Sequence, residues 1–205
     1  MLQVFTYLPK FMSTVIMTSL VVMLIKQGSS TSNTPPGIVS QFLSSIGLIS
    51  NEVAYAGLLK NPTYFRAIYQ ISGIWETAGY DSIVFFAAII AISPTSYEAA
   101  QIDGANKWAQ MRYVVLPSIL STIVIMLITR IGSMLSIGYE KVLLLTEDGS
   151  LSSQTAEVIS TFAWRIKTNQ SGLASAAEMM NNVVGMLLVI GANTIARKAA
   201  NVSLY

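Results

Sequence analysis

The 205-residue sequence contains no cysteine and no histidine. Their absence excludes disulfides, thiolate nucleophiles, histidine acid–base relays and nearly all zinc sites. The sequence also has neither a G-x-x-x-x-G-K-[S/T] nor a G-x-G-x-x-G motif, so it encodes no nucleotide-binding loop of those kinds. Any energised work in which this chain takes part must therefore draw its energy from a partner.

Charge is also scarce. Charged residues make up 11% of the chain, whereas soluble domains carry about 25%. Apolar residues make up 53%, and the mean hydropathy is +0.58. The net charge is only +2, and the basic residues are dispersed, which argues against a nucleic-acid partner. The composition indicates a chain in contact with membrane lipid.

Four apolar segments are predicted to cross the membrane as helices: 11–25, 67–92, 114–137 and 179–195. A membrane helix needs about 20 mostly apolar residues. The third segment would extend about 36 Å at the helical rise, which is enough to span with some tilt. The sequence therefore predicts an all-α polytopic membrane protein with about four transmembrane helices.

Two long connectors, 26–66 and 138–178, separate these segments. In the first, Val39, Phe42, Leu43 and Ile46 recur at helical spacing, which predicts a short amphipathic helix at the membrane interface. The second contains a loop at 146–154 and then TAEVISTFAWRI at 155–166, a further candidate amphipathic helix. Basic residues are denser in the short segments than in these long connectors. That density favours a cytoplasmic position for the connector at 97–113 and for both termini.

The stretch YEAAQIDGANKWAQMRYVVLP at 97–117 lies between two of the apolar segments. Thr95 and Glu98 predict a capping box behind Pro94, and Gly104 permits a bend that a residue with a Cβ would resist. The small side chains around the bend allow another surface to approach closely. The stretch is interpreted as two short helices that dock onto another subunit; the alternative is an amphipathic linker that lies flat on the lipid headgroups.

The spacing of this stretch resembles the EAA motif of binding-protein-dependent ABC importer permeases. Glu98-Ala99-Ala100 is followed after three residues by Gly104, and nine residues later by Val114-Val115-Leu116-Pro117, with Val114 where the motif has Ile. Asp103 and Ala105 complete an Asp-Gly-Ala core. Further likeness to the oligosaccharide and polysaccharide permeases of the sugar-importer type lies in YLPKF at 7–11, in 127–145 and in 155–167, so the resemblance covers essentially the whole chain.

The resemblance implies that residues 1–205 are the transmembrane domain of a type I importer permease, shortened to the last four of six helices. Residues 94–117 would form its cytoplasmic coupling loop. In such systems two permease subunits in the bacterial cell membrane form the pathway, two cytoplasmic ATPases bind the ATP, and an extracytoplasmic protein delivers the sugar. The chain itself would then need no cofactor and would not be an enzyme. The ATPase-docking residues would be Glu98, Ala99, Ala100, Asp103, Gly104, Ala105, Leu116 and Pro117.

Charged and amide side chains inside the apolar segments form a second candidate site. An arginine at a helix centre costs about 2.5 to 3.5 kcal/mol on insertion scales, and Arg130 lies within the third segment. Glu76 and Asp81 lie in the second, and Asn181 and Asn182 in the last. They either line a polar pathway for a hydroxyl-rich substrate or hold helices together, with Arg130 paired to Glu76 or Asp81 and the asparagines bonded between helices.

Two competing functions are open. A membrane-embedded enzyme would need acids on one helical face, and Glu76 and Asp81, five residues apart, do not share one. A truncated, non-transporting subunit or fragment is the other alternative, because the first two spans of the six-helix pattern lie outside this sequence.

Overall fold

The computed structural model describes residues 2–29, 33–136, 138–146 and 156–200. Within these ranges every regular element is a helix, which confirms the predicted all-α class. Three predicted features extend beyond the described residues: 147–154 of the predicted loop at 146–154, Thr155 at the start of the second amphipathic segment, and Ile137 at the end of the third apolar segment.

The helices follow one another in chain order with short connections. They are α1 Leu2–Phe11, α2 Thr14–Leu24, α3 Ile38–Ser45, α4 Asn51–Ala56, a 3-10 turn Leu58–Lys60, α5 Pro62–Ile90, α6 Pro94–Ile102, α7 Lys107–Ser118, α8 Leu120–Ser133, α9 Tyr139–Leu145, α10 Ile159–Ile166 and α11 Ser171–Ala200.

Two helices in the described ranges, α5 and α11, are continuous and apolar enough to cross a membrane. With 29 residues, α5 extends about 43 Å, well beyond the 30 Å of a typical hydrocarbon core. Its start is fixed by the Asn61 side chain, whose Oδ1 accepts a 3.0 Å hydrogen bond from the Thr63 N–H. Pro62 follows Asn61 at the first helical position, where its missing N–H costs nothing.

The third predicted span is a bent pair. Helices α7 and α8 pass the same test only together, with a 61° bend between them. Pro117 has no N–H to donate to the Tyr113 carbonyl, and proline rings push against the preceding turn. The turn just before it, Met111–Val115, widens to π-helical geometry, and the chain then leaves helical geometry at Ile119. Local widening of this kind is a common response to a lost i−4 bond.

The first predicted segment is not one span, which corrects the sequence prediction. Phe11 at the start of the segment ends α1, residues 14–24 form α2, and Met12 and Ser13 separate the two helices. Ser13 has extended backbone geometry, and its Oγ accepts a 3.3 Å hydrogen bond from the Val15 N–H, so a new helix starts there. Pro9 lies inside α1 and weakens that helix near its end. The 11 residues of α2 extend only about 16 Å, half of a membrane crossing.

The structure divides into two compact units. One contains residues 1–79 and 138–178, and the other contains 80–137 and 179–205. In the first unit, Ile25, Ile49, Ala54 and Leu58 form a buried cluster that joins α2 to the first connector. Ser40 on α3 is fully buried, and its hydroxyl donates to the Ile25 carbonyl at 3.3 Å. The predicted amphipathic helix in this connector is therefore present as α3, anchored to the end of α2.

The second predicted amphipathic segment starts later than expected. Helix α10 begins at Ile159 because Thr161 turns its hydroxyl back to the chain before it. The Thr161 Oγ1 accepts from the Val158 N–H at 3.0 Å and donates to the Val158 carbonyl at 2.8 Å. Thr161 and Ala163 of α10 are buried, and Trp164 stacks on Tyr139 of α9 with ring centroids 6.0 Å apart.

Candidate functional site

Residues 94–117, called the coupling loop after their predicted role, begin with α6. Pro94 takes the first helical position, so Ser93 becomes the N-cap residue. The Ser93 hydroxyl meets the Thr95 hydroxyl at 2.7 Å, and Ser93 makes no side-chain hydrogen bond to the helix backbone. The predicted capping box of Thr95 and Glu98 is therefore wrong: Thr95 lies inside the helix, because proline fixes the helix start one residue before it.

The end of α6 is a tight elbow. The Ala105 N–H donates to the Ala100 carbonyl at 2.9 Å, and the Gly104 N–H donates to the Gln101 carbonyl at 3.0 Å. These two bonds form a Schellman motif, which needs a left-handed residue at its C′ position. Gly104 supplies that residue with φ +76°, so the predicted glycine bend is present and its cause is the motif.

The helix after the elbow has its own cap. Asn106 has extended geometry, and its Oδ1 accepts a 2.8 Å hydrogen bond from the Ala109 N–H. The Gln110 side chain donates to the Ala105 carbonyl at 2.9 Å and ties the new helix back to the elbow. Sequence reasoning did not single out Asn106 or Gln110, although an asparagine directly before a helical segment is a recognised start signal. The elbow is therefore ordered by bonds within the loop itself.

The loop presents its side chains outward. Across 93–118, all of which the structure describes, no residue is buried. Ile102 is 87% exposed and Trp108 67%, and they flank the elbow from its two sides. Glu98, Ala99 and Asp103 are exposed as well, while Ala100 and Ala105 are half-buried beneath the bend. A surface with this much exposed apolar area, held in one conformation, is suited to contact with another molecule.

Leu116 and Pro117 lie apart from the elbow in the chain. They form the last turn of α7, directly before the bend into α8, and both are exposed. The structure thus brings Glu98, Ala99, Ala100, Asp103, Gly104 and Ala105 together at one elbow, whereas these two residues shape the entry to the next helix.

The first ion pair joins Arg130 of α8 to Asp81 of α5, so the structure selects Asp81 over Glu76 as the partner of Arg130. The Arg130 side chain is 52% exposed and that of Asp81 27%. Arg130 does not lie deep in a span, which corrects the sequence interpretation. Helix α8 ends at Ser133 and places Arg130 in its last turn, where a cation is favoured by the helix dipole.

A second ion pair involves a residue that sequence reasoning assigned to an outer connector. The Lys141 Nζ of α9 lies 3.1 Å from the Glu76 Oε2 of α5, and these side chains are only 12% and 17% exposed. The same ammonium lies 5.4 Å from the centre of the Tyr69 ring, within cation–π range. The available signal was a lysine directly before the apolar run VLLL, because a charge beside a long apolar run commonly has a partner.

The amide groups of α11 behave differently from one another. Asn181 donates through Nδ2 to the Leu135 carbonyl at 3.1 Å, and its Oδ1 is one of two buried side-chain oxygens in the described ranges that have no hydrogen-bond partner. Asn182 is exposed on another face of the helix, and Asn193 is buried. The hydrogen bond from Asn181 therefore holds α11 against Leu135, just after the end of α8. Asn181 does not form a joint site with Asn182.

With this geometry in place, the chain can be compared with known proteins. Residues 1–191 match the sequence profile of a family described as "Binding-protein-dependent transport system inner membrane component". The chain belongs to this family. Its members are membrane components of transport systems, and the helices α5 and α11 agree with a multi-pass location in the membrane.

Two curated family relatives come from Bacillus subtilis strain 168. The chain is 32% identical to Protein LplB over 96% of its own length and 58% of that protein. It is 33% identical to YteP, a polygalacturonan/rhamnogalacturonan transport system permease protein, over 99% of its length and 60% of YteP. The chain therefore spans about three fifths of these relatives.

Solved structures agree. The chain matches a chain of a bacterial alginate ABC transporter, crystallised in complex with an alginate pentasaccharide-bound periplasmic protein, with 38% identity and a TM-score of 0.82. That match covers 99% of this chain and 66% of the other. A second structure, of a bacterial ABC transporter that imports the acidic polysaccharide alginate, matches with 39% identity and a TM-score of 0.80 over 97% and 65%. The family assignment of the sequence resemblance is thereby confirmed, and among these relatives YteP and the alginate transporters carry names of carbohydrate transport.

Proposed function

We propose that this chain forms the membrane-spanning part of a permease subunit in an ATP-driven carbohydrate importer, and that its coupling loop docks onto a cytoplasmic ATPase. Two relatives carry carbohydrate-transport names or titles: a polygalacturonan/rhamnogalacturonan permease and an alginate importer. Oligosaccharides released from such polysaccharides are the proposed class of substrate. The alternative of a membrane-embedded enzyme has no support in the relatives, which are transport proteins.

The single observation that carries the docking proposal is the ordered, outward-facing elbow. Its Schellman motif and the Asn106 cap fix the backbone before any partner arrives, so little conformational entropy is lost when a partner binds. Exposed Ile102 and Trp108 offer apolar contact area on either side of Gly104. Glu98 is exposed on α6 and available to a basic residue of the ATPase.

The remaining partners follow from the same proposal. A second permease subunit would complete the pathway, and an extracytoplasmic sugar-binding protein would deliver the substrate. The alginate ABC transporter, which this chain resembles, was crystallised in complex with an alginate pentasaccharide-bound periplasmic protein. The ATPase would bind ATP. The energy of hydrolysis would then reach α5 and α8 through the coupling loop, which connects these two helices.

The docking proposal is tested by co-expression with the ATPase and second permease of the same transporter. Glu98→Lys should reduce the ATPase that co-purifies and the rate of sugar uptake, while the amount of membrane-inserted chain stays constant. Glu52→Lys is the matched control, because Glu52 is also exposed on a short helix but lies in the first connector. An equal loss of co-purified ATPase in both variants, or no loss of it in Glu98→Lys, would contradict docking at this loop.

The proposed orientation is tested by cysteine labelling, which is unambiguous because the sequence has no native cysteine. With the coupling loop in the cytoplasm, Lys107→Cys should stay unlabelled by a membrane-impermeant maleimide in intact cells, and Ser45→Cys should be labelled. Both positions are exposed in the structure, so accessibility to the reagent depends on the side of the membrane. If Lys107→Cys is labelled and Ser45→Cys is not, the coupling loop faces the outside of the cell and the proposed orientation is wrong.

A further inference from the structure

Helix α2 runs antiparallel to the first half of α5 in the first unit. Directly after its last turn, Ile25 belongs to a buried cluster against which Ile68 of α5 packs. About two turns earlier, Thr18 lines a small cavity together with Ser72 and Glu76 of α5. Residue numbers thus rise along α2 while they fall along α5.

Helix α1 contacts α5 at a further level. Gly79 lies so close to the α1 backbone that a Cβ on it would collide with the Thr6 carbonyl. The break between α1 and α2, at residues 12–13, therefore lies between two contacts with α5. One of them is at Thr6 and the other at Thr18.

Both contacts lie at the depth of the lipid hydrocarbon. Helix α5 exceeds the 30 Å core by about 13 Å, or about nine residues. Ser72 and Gly79 lie at least ten residues from either end of α5, so they stay inside the core even if one end takes all of this excess. Ser13 precedes Thr18 by about 7 Å along α2, in the direction of Gly79. The break is therefore at the same depth.

A helix break at this depth must meet water or protein. Helix ends leave N–H and carbonyl groups without intrahelical partners, and in a membrane such groups occur only where protein covers them or water reaches them. Lys10 and Ser13 are both exposed, so this chain does not cover the break. Lys10 also has no ion-pair partner within the described ranges. An unpaired charge in the hydrocarbon core is costly, which favours water at this place.

The surroundings of the break differ from side to side. Leu8 and Phe11 share one face of α1 and are 52% and 73% exposed, as suits contact with lipid, whereas Lys10 projects from another side of the helix. A cation in a narrow aqueous passage attracts anionic ligands. We propose that Lys10 and Ser13 line the water-filled passage for the substrate, and that Lys10 makes this passage favour sugars that carry carboxylate groups. This inference rests on the proposed function of a carbohydrate permease.

Water at the break is tested with cysteine variants of the assembled transporter, because the sequence has no native cysteine. Open membrane fragments are treated with a membrane-impermeant maleimide, which reaches aqueous thiols from both sides. Lys10→Cys should react at least about tenfold faster than Phe11→Cys, since an apolar environment raises the pKa of a thiol and removes its reactive thiolate. Phe11→Cys is the matched control, because Phe11 is the neighbouring residue and is also exposed. Both variants must accumulate like the parent chain.

Two results would overturn the passage. Similar rates in the two variants would show that the two sides of the break do not differ in their access to water. Slow labelling of Lys10→Cys in the transporter, together with rapid labelling in the isolated chain, would show that a partner subunit covers the break.

The effect of the cation is measured at Ser13→Cys with two methanethiosulfonate reagents, one with an anionic sulfonate and one with a cationic trimethylammonium group. Adding Lys10→Gln should lower the ratio of the anionic to the cationic reaction rate about threefold or more. Lys26→Gln is the matched control, because Lys26 is exposed beyond the other end of α2 and should leave the ratio unchanged. An unchanged ratio in Lys10→Gln would overturn the role of Lys10.

Uptake separates this inference from the proposed function. Lys10→Gln should lower the uptake of trigalacturonate relative to neutral galactotriose, and Lys10→Arg should keep the ratio of the parent transporter. An unchanged ratio in Lys10→Gln would overturn the role of Lys10 and leave the proposed function standing. A parent transporter that takes up neither sugar would contradict the proposed function, whereas the labelling rates would still decide whether the break lines an aqueous passage.

Discussion

The coupling loop and the Glu76–Lys141 pair differ in how their polar and apolar groups are satisfied. The loop meets its backbone hydrogen-bonding needs internally and leaves Ile102 and Trp108 exposed. The ion pair is enclosed by its own unit, with both side chains more than four fifths buried and the Tyr69 ring beside the ammonium. The proposed docking would cover the exposed apolar groups of the loop, whereas the ion pair is complete within the chain.

This difference predicts which readout each region controls. Removing one partner of a buried pair leaves a charge in a low-dielectric environment, so the folded chain loses stability. Changing an exposed side chain of the loop costs the chain little and alters only what can bind to it. Changes at the ion pair should therefore alter the stability of the chain, and changes in the coupling loop should alter partner binding.

Lys141→Leu should have the largest effect of the changes considered. Breaking a buried ion pair costs about 3 to 5 kcal/mol, and Glu76 would remain buried without its 3.1 Å partner. The expected result is a strong loss of folded chain in the membrane, measured by accumulation and by the midpoint of thermal unfolding in detergent.

The double variant Lys141→Leu with Glu76→Leu is the control. Replacing both charges by apolar groups removes the uncompensated carboxylate, and such replacements are often neutral. The double variant should recover most of the lost accumulation. If it stays as unstable as Lys141→Leu, the two residues do not act as a pair. The contrast between the exposed loop and the buried pair would then be wrong for the pair.

Gly104→Val should have an intermediate effect, confined to the coupling loop. A residue with a Cβ in the left-handed region costs about 1 to 2 kcal/mol, and Gly104 has φ +76°. The elbow should shift, and ATPase retention and uptake should fall while chain accumulation stays near normal. Gly47→Val is the matched control, since Gly47 has φ +75° and equally open surroundings but lies in the first connector. Loss of ATPase in both variants would show that backbone strain alone, at any site, accounts for the result.

Arg130→Leu should have the smallest effect on stability. Its ion pair with Asp81 is half exposed, and pairs of that kind contribute about 0.2 to 1 kcal/mol. Accumulation should fall slightly, and less than in Lys141→Leu. If Arg130→Leu accumulates normally and sugar uptake alone is lost, the residue belongs to the substrate pathway and the structural interpretation of this pair is wrong.

Sequence patterns predicted the all-α class and the positions of α5 and α11, because long apolar runs leave few alternatives in a membrane. They did not predict the break of the first segment at Ser13 or the 61° bend after Pro117. Both depend on where one side chain or one missing N–H interrupts a run that is apolar throughout. Hydropathy averages over such single residues and cannot register them.

For the site, the elbow at Gly104 was predictable because its turn chemistry is local. The pairing of Lys141 with Glu76 was not, since 65 residues separate them and the lysine lies in a connector by hydropathy. Only the packing of α9 in the first unit brings its ammonium to α5. Local chemistry was thus visible in the sequence, and long-range electrostatic partners required the structure.

The most direct test of the central claim measures ATPase retention in Ala100→Trp, within the assembled transporter. Ala100 is half-buried beneath the elbow and its carbonyl accepts the Ala105 N–H, so a tryptophan there would overfill the contact with a docked partner. Ala56→Trp, on the exposed face of α4, is the control and should retain the full amount of ATPase. The account predicts normal chain accumulation in both variants and loss of the ATPase in Ala100→Trp alone. Retention of the ATPase at the native level in Ala100→Trp, as a linker flat on the headgroups would allow, would contradict it.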